Sequence, residues 1–188
     1  MKVIDTDIKE VKIIEPTIFG DARGFFYESF SEKKYQEALS MKHTFVQDNF
    51  SRSTKWVLRG MHHQTENTQG KLVSVLDGEV FDVAVDVRVG SQTFGKSVGV
   101  LLSAENRRQL WVPPGFAHGF LVMSESVDFV YKCTDYYNPK AELSIQWDDS
   151  DLNIAWPTKE NLTISDKDMN LAKTFKESLD LLPKYGEF

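Results

Sequence analysis

The stretch KLVSVLDGEVFDVAVDVR, residues 71–88, carries the clearest fold signal in this chain of 188 residues. Its first half is rich in Leu and Val and runs into Asp77-Gly78, a pair that tolerates positive φ and predicts a hairpin turn. After the turn, apolar side chains at positions 81, 83, 85 and 87 alternate with Asp82, Ala84 and Asp86. A period of two predicts a strand with one apolar face and one face that carries acids.

Short apolar segments with Gly and Pro between them continue this pattern along the chain. Further strands are predicted at residues 97–102, 109–112, 120–123, 127–134 and 144–147, and residues 57–64 also have strand character. No internal repeat, low-complexity tract or linker interrupts them. Many short strands of even spacing indicate a mainly β protein, a sandwich or barrel of the jelly-roll kind.

Helices are predicted only at the periphery. Residues 32–40 can start from Ser31 as N-cap and place Tyr35 on an apolar face. Residues 169–182 carry apolar side chains at positions 171, 175, 179 and 182, which is near-helical spacing. We expect this second segment to be a terminal helix that lies on the barrel.

The composition excludes several classes of protein. The formal charge is 22 − 28 = −6, which argues against general nucleic-acid binding. No apolar run reaches membrane-spanning length, and acidic residues follow the N-terminus too soon for a signal peptide. The only cysteine, Cys133, cannot form an intramolecular disulfide, which favours a reducing, cytoplasmic compartment. Hydrophobic residues make up 41% of the chain, enough for a real core.

Two of the four histidines are candidates for chemistry. His62 lies in VLRGMHHQ, residues 57–64, where neighbours on a strand face opposite sides, so His62 and His63 should not both enter one cavity. If His62 points inward, Gly60 shares its face and leaves open space beside the imidazole. His118 lies in PPGFAHGF, residues 113–120, a turn that leads into a strand. On spacing alone, both are equally well explained as buried barrel histidines.

Other chemical groups also have plain structural explanations. Tyr131 lies in a segment of aromatic residues, which favour strands. Ser165-Asp166-Lys167-Asp168 resembles a capping box, with Ser165 as the N-cap and Asp168 at the helix position N3. Arg23, Arg59 and Lys71 lie in separate segments; arginine matches phosphate with a rigid fork of donors, but ordinary surface charge is the commoner role.

Seven stretches, taken in order, resemble the dTDP-4-dehydrorhamnose 3,5-epimerase family, whose fold is a cupin-type jelly roll. They are FGDARGFFYE (19–28), FVQDN (45–49), VLRGMH (57–62), GKLV (70–73), PGFAHGF (114–120), YKCTDYY (131–137) and SDKD (165–168). The resemblance covers nearly the whole chain. It implies one epimerase domain over residues 1–188, a cupin-like β-barrel core over about 45–150 and a C-terminal helical segment over about 165–183.

The resemblance also implies roles for individual residues. His62 matches the general base, Asp168 the carboxylate that orients it, and Tyr131 the acid on the other face of the sugar. Lys71 and His118 match groups near the ketone. Positions that contact the nucleotide and diphosphate are matched by Arg23, Glu28, Gln47, Asp48, Asn49, Arg59, Glu142 and Lys167. Either Tyr136 or Tyr137 matches a residue that stacks on the nucleobase.

The resemblance implies a homodimer in which one subunit's N-terminal segment completes the partner's site, with a dTDP-sugar as substrate and no metal or redox cofactor. The chain departs from the family's usual pattern at Met61 and His63, which flank His62, the residue that matches the general base. One tension remains at Arg59, because strict alternation puts it on the face opposite His62 although both match substrate positions. A bulge near Gly60 would reconcile them.

The residues suit epimerisation beside a ketone. The ketone makes the neighbouring carbon acidic, so the reaction needs a base on one face, an acid on the other and a donor at the developing enolate. Histidine titrates near ~6.5 in unperturbed surroundings and tyrosine near ~10, which suits the two roles. Lys71 or His118 could stabilise the enolate oxygen.

Two other hypotheses stay open. Metal-binding cupins usually carry His-x-His followed by Glu; here Gln64 stands two residues after His62, and the remaining ligand set would be His62, Glu66 and His118. A non-catalytic module that binds sugar nucleotides is the third hypothesis, and the presence of His62, Tyr131 and Asp168 disfavours it.

Overall fold

The computed structural model of this chain describes residues 1–187. The strands are β1 (Lys2–Asp5), β2 (Lys12–Glu15), β3 (Phe19–Asp21), β4 (Gly24–Phe26), β5 (Gln47–Thr54), β6 (Val57–Gln64), β7 (Lys71–Asp77), β8 (Glu79–Asp86), β9 (Ser97–Ser103), β10 (Gln109–Val112), β11 (Phe116–Val122), β12 (Ser126–Cys133), β13 (Glu142–Ser144) and β14 (Thr163–Ile164). The helices are α1 (Glu32–Leu39) and α2 (Phe175–Ser178), with a π-helical turn at Lys167–Leu171 and a 3₁₀ turn at Leu179–Leu181. None of the helices within residues 1–187 has the length and apolar character needed to cross a membrane.

Two large sheets form the body of the protein. One has the order β1-β2-β10-β7-β12-β5, and the other has the order β13-β6-β11-β8-β9 with β14 added beside β6. An apolar cluster with Val73 and Phe129 from the first sheet and Ala84 and Phe120 from the second joins them. This mainly β architecture confirms the predicted fold class and leaves a space between the sheets for a site.

The predicted hairpin at Asp77-Gly78 is wrong. β7 pairs with β10 and β12, whereas β8 pairs with β9 and β11 in the other sheet, so Asp77-Gly78 is a corner between sheets. Gly78 has φ of +80°, and a Cβ there would collide with the Ser126 carbonyl oxygen. Glycine is therefore needed for the turn, but the local sequence does not determine which strands pair across it.

The acids of β8 do not form a solvent face. Asp82 and Asp86 are both fully buried. Asp86 accepts hydrogen bonds from Arg88, Ser91 and Thr93, which satisfies its carboxylate inside the protein. Asp82 faces His118 from the adjacent strand. The alternation along β8 therefore correctly predicts which side chains share a face, but both faces of the strand are buried.

The first predicted helix is confirmed as α1, which buries Tyr35 and follows Ser31 at the N-cap position. The second, predicted over 169–182, is wrong, because Lys173 is extended and bridges to Ile145. Its N–H donates to the Ser144 carbonyl at 2.9 Å, which interrupts any helix there. A capping box formed by Thr174 and Glu177 then begins the short α2.

Several strand bounds also differ from the sequence pattern. The strand expected at 120–123 begins earlier, at Phe116, and the one expected at 144–147 is Glu142–Ser144. β1, β2 and β5 have no clear alternation of apolar residues and were not predicted. β5 matters most, because its side chains line one wall of the space between the sheets.

Candidate active site

A cavity of about 350 Å³ lies between the two sheets. Nine of the residues predicted for the site line it: Gln47, Asn49, Arg59, His62, Lys71, His118, Tyr131, Tyr137 and Glu142. They come from both sheets, since β5, β7 and β12 form one wall and β6 and β11 form the other. The fold therefore gathers most of the predicted set around one space.

A bulge in β6 turns both Arg59 and His62 toward this cavity. His62 pairs with His118 and Arg59 pairs with Phe120, so two residues of β6 stand opposite one residue of β11. The extra residue breaks strict alternation, which resolves the tension between Arg59 and His62.

The expectation that Gly60 leaves open space is wrong. A Cβ on Gly60 would lie 2.6 Å from the Cα of Gly119, and φ of Gly60 is +121°. Conversely, a Cβ on Gly119 would lie 2.7 Å from the Arg59 carbonyl oxygen. The two glycines are needed for the close approach of the strands at the bulge.

His62 is paired with a buried carboxylate. Its Nε2 lies 2.7 Å from Oδ1 of Asp168, which places the ring proton on Nε2, because the carboxylate can only accept. Burial alone would raise the pKa of Asp168, but hydrogen bonds from His62, Gly60 and Ser165 together with the charge of His62 hold it below its usual value. Within residues 1–187 the other ring nitrogen, Nδ1, has no hydrogen-bond partner.

The capping-box alternative for Asp168 is half correct. The Ser165 hydroxyl accepts a hydrogen bond from the Asp168 N–H at 3.2 Å, as a cap would. In a complete capping box the Asp168 carboxylate would accept a hydrogen bond from the Ser165 N–H. Here it pairs with His62 instead. Ser165 therefore fixes the turn, while the Asp168 side chain is used elsewhere.

Tyr131 stands on the wall opposite His62. It lies on β12 of the first sheet, whereas His62 lies on β6 of the second. Burial raises the pKa of Tyr131 to about 12, so its phenol stays protonated at neutral pH. A group held between the sheets would have an imidazole on one side and a phenol on the other.

Lys71 brings a cationic donor to the same cavity. Its Nζ lies 5.9 Å from the centre of the Tyr131 ring. Burial lowers the pKa of Lys71, against the opposing effect of Cys133, Asp82 and Glu142. Within the described chain its ammonium donates no hydrogen bond, which leaves its three N–H groups available to a ligand.

His118 has a carboxylate partner that the sequence reasoning missed. Its Nε2 lies 2.9 and 3.1 Å from the two oxygens of Asp82, so Nε2 carries the proton. Burial lowers the pKa of His118 against the opposing effect of Asp82, which favours a neutral ring. The available signal was an acid between apolar residues of a strand, since such a residue needs a partner when it is buried.

The mouth of the cavity is formed by a linked set of polar side chains. The Tyr137 hydroxyl donates to Glu142 at 2.7 Å, and Glu142 also forms an ion pair with Lys167. The Tyr137 N–H donates to Gln47 at 2.9 Å. Tyr136 and Tyr137 are both exposed, but of the two Tyr137 lines the cavity, which favours it as the aromatic residue of the site.

Asp168 and Lys167 contact this cavity's lining through His62 and Glu142, whereas three other predicted residues lie away from it. Asp48 points to the outer face of β5, where it pairs with Lys132 and is 71% exposed. Within residues 1–187 Arg23 pairs only with Asp21, at the tip of the β3–β4 hairpin. Glu28 pairs with Lys34 on the surface.

His63 is buried and does not face solvent. Its Nδ1–H donates to the Phe116 carbonyl at 3.3 Å, and within residues 1–187 its Nε2 has no hydrogen-bond partner. Burial lowers its pKa to about 4. A small cavity of about 70 Å³ is bordered by both His62 and His63. The expectation that the two histidines do not share a cavity is therefore wrong for this space.

The ligand set of the metal hypothesis is not assembled. His62 and His118 each point a ring nitrogen at their own carboxylate, Asp168 and Asp82. Glu66 is exposed. In the described part of the chain, no group of three or more His, Cys, Asp or Glu side chains is arranged to hold an ion.

Comparison with known proteins agrees with this geometry. The profile of the dTDP-4-dehydrorhamnose 3,5-epimerase family matches residues 5–177. The enzyme of that name from Shigella flexneri is 58% identical over 171 residues, which cover 90% of this chain and 94% of the relative. The enzyme from Methanothermobacter thermautotrophicus is 49% identical, with 90% and 92% covered.

Solved structures extend the comparison. The dTDP-6-deoxy-D-glucose-3,5-epimerase of Legionella pneumophila, in complex with dTDP-4-keto-L-rhamnose, has a TM-score of 0.95 and 60% identity, and 98% of each chain is covered. A 3'-monoepimerase from Streptomyces bikiniensis, in complex with dTDP-quinovose, has a TM-score of 0.88 and 34% identity, with 96% of this chain and 92% of that chain covered. With this fold, and with matches of this extent, the chain is an isomerase that belongs to the dTDP-4-dehydrorhamnose 3,5-epimerase family.

Proposed function

We propose that this chain, as one epimerase domain over residues 1–188, converts dTDP-4-keto-6-deoxy-D-glucose to dTDP-4-keto-L-rhamnose by inverting C3 and C5. This reaction would serve dTDP-L-rhamnose biosynthesis and need no cofactor. The observation that carries the proposal is the pairing of His62 with Asp168 on one wall of a cavity whose opposite wall holds Tyr131.

The proposed base is Nδ1 of His62. Asp168 accepts the Nε2 proton and stabilises the imidazolium that forms after proton abstraction. The hydrogens on C3 and C5 of a glucose-configured ring lie on the same face, so one base can reach both carbons in turn. Tyr131 would return a proton from the other face, which inverts each centre.

The proposed enolate stabiliser is Lys71 rather than His118. His118 already uses its Nε2 proton on Asp82, so a neutral ring offers only an acceptor to the ketone oxygen. Lys71 can donate in either protonation state. A donor placed where negative charge develops favours the transition state over the ground state.

The proposed binding groups for the nucleotide and diphosphate are Arg59, Gln47 and Asn49 inside the cavity, with Tyr137, Glu142 and Lys167 at its mouth. Arg23, Glu28 and Asp48 would contribute only across a homodimer. An apolar groove on the outer face of the first sheet, lined in part by Phe50, Leu76 and Val130, offers a docking surface. The β3–β4 hairpin exposes Phe19, Phe25 and Phe26, which a partner subunit would cover.

The cytoplasmic location expected from the lone cysteine remains part of this proposal. A single-site epimerase is the second candidate, since a 3'-monoepimerase shares the fold. Incubation with dTDP-4-keto-6-deoxy-D-glucose in deuterated water separates the two, with ¹H NMR as the readout. Deuterium at both C3 and C5 is expected; deuterium at one carbon would make the chain a monoepimerase, and none at either would refute epimerisation.

A further inference from the structure

Arg59 is held across the gap between the two sheets by a serine. Its Nε–H donates to the Ser53 hydroxyl at 3.1 Å. Ser53 lies on the inner face of β5, where it is buried, whereas Arg59 lies on β6 beyond the turn that joins these strands. The bulge turns Arg59 inward, and Ser53 then fixes the direction in which its side chain extends.

This contact uses Nε and leaves the two terminal amino groups of the guanidinium available to a ligand. Nε carries only one of the five N–H donors of arginine, and the two terminal amino groups carry the other four in a planar fork. In the described chain Arg59 forms no ion pair, in contrast to Arg23, Arg88 and Arg108. An unpaired fork at the wall of a cavity fits the oxygens of a diphosphate.

We propose that Ser53 is a positioning residue, which orients the terminal amino groups of Arg59 toward the diphosphate of the substrate. The inference rests on the proposed function, in which Arg59 contacts that diphosphate. Arginine has a flexible side chain, and holding it in one rotamer before the ligand arrives reduces the ordering cost of binding. Ser53 therefore contributes to affinity without touching the substrate.

The neighbouring serine on the same face does not share this role. Ser51 lines the cavity, but its hydroxyl is buried and has no hydrogen-bond partner within residues 1–187. The side chain between them, Arg52, points to the opposite face and lies near Asp128. Along β5, Ser53 is thus the position whose hydroxyl meets the Arg59 side chain.

The test combines Ser53→Ala with Arg59→Lys, because lysine lacks the Nε–H that Ser53 accepts. With the wild-type Arg59, Ser53→Ala should raise the Kd for dTDP and the KM for the dTDP-sugar about tenfold, with kcat within about twofold. In the Arg59→Lys protein, the same serine change should alter Kd less than about twofold. Ser53→Cys, which keeps the volume and a weak acceptor, guards against a folding defect, and thermal unfolding of each variant is measured in parallel.

Thr54→Val is the matched control, because it removes a hydroxyl from the exposed side of the same strand. It should leave Kd, KM and kcat unchanged. If Arg59→Lys weakens dTDP binding but Ser53→Ala does not, the positioning role is wrong while the proposed function stands. If Ser53→Ala has the same effect in both backgrounds, Ser53 acts independently of Arg59, which also overturns the inference. If Arg59→Lys binds dTDP as tightly as wild type, the proposed diphosphate contact fails and the inference fails with it.

Discussion

Nε2 of His62 lies 2.7 Å from Oδ1 of Asp168, a carboxylate that is 106 positions further along the chain. Replacement of Asp168 by Asn should preserve the shape of this contact but remove the charge that stabilises the imidazolium. An amide can also donate to Nε2 and so favour the wrong tautomer. We expect kcat to fall about 10²- to 10⁴-fold, as measured by NMR in deuterated water, while the Kd for dTDP changes little. A large loss of dTDP affinity would show that Asp168 acts on binding instead.

Tyr131→Phe should separate proton removal from inversion. His62 can still take the proton and return it to the same face, so solvent deuterium should enter the sugar without a change of configuration. The pKa of Tyr131, which burial raises to about 12, keeps the phenol protonated far into the alkaline range. Tyr131 should therefore contribute no alkaline loss of kcat at the ordinary tyrosine value near ~10, which a pH profile of the Lys71→Met variant can measure without the titration of Lys71. Continued inversion by Tyr131→Phe would exclude it as the acid.

Lys71→Met and Asp82→Asn should differ in severity. The first removes the proposed donor at the enolate oxygen, for which losses of about 10²- to 10³-fold in kcat are typical. The second only loosens His118, and we expect a smaller loss, about tenfold, accompanied by lower thermal stability. Steady-state kinetics with a calorimetric scan of each variant measures both effects. If Asp82→Asn is the more damaging to kcat at equal stability, His118 and not Lys71 acts at the ketone.

Mixed dimers should reveal whether the β3–β4 hairpin acts on the partner subunit. Arg23→Ala and His62→Ala are each expected to be weakly active alone. In a mixed dimer, a hairpin that crosses to the partner gives one site both defects and leaves the other site intact. Activity should then reappear when differently tagged subunits are co-expressed and the mixed dimer is purified. No recovery from the purified mixed dimer would mean that each Arg23 serves the site of its own chain.

His63→Phe should make the protein less sensitive to acid. The pKa of His63 is lowered to about 4 by burial, whereas a histidine in the unfolded chain titrates near ~6.5. Between these values the unfolded state binds more protons, so stability falls as the pH falls. We expect His63 to account for a loss of about 2 kcal/mol in the free energy of unfolding between about pH 7.5 and about pH 5. Urea unfolding at both pH values measures it, and an equal loss in His63→Phe would refute this cause.

The sequence predicts the mainly β fold and most of the cavity residues, but not for the same reason. Alternation along β8 identifies a strand through local physics, whereas the pairing of His62 with Asp168 came from family resemblance. Asp77-Gly78 encodes a turn, yet the strands on either side join different sheets because pairing depends on distant segments. Likewise, the extended backbone at Lys173 overrides the near-helical spacing around it.

Ser53 and Asp82 illustrate what local patterns cannot reveal. Each contacts a residue on another strand, Arg59 and His118 respectively. Neither strand pattern specifies that contact. Asp82 at least stands out as an acid in an apolar strand, whereas a serine on an edge strand carries no comparable signal.

The facing glycines Gly60 and Gly119 limit how this enzyme can be engineered. A methyl group on either would meet the opposite backbone at 2.6 to 2.7 Å and push the strands apart. Alanine scanning would therefore report large activity losses at two positions that have no reactive atom, and such losses would be misread as missing chemistry. Libraries aimed at new sugar substrates should keep both glycines and vary Ser51 on β5 instead, because its side chain lines the cavity and can change without moving the backbone of β6.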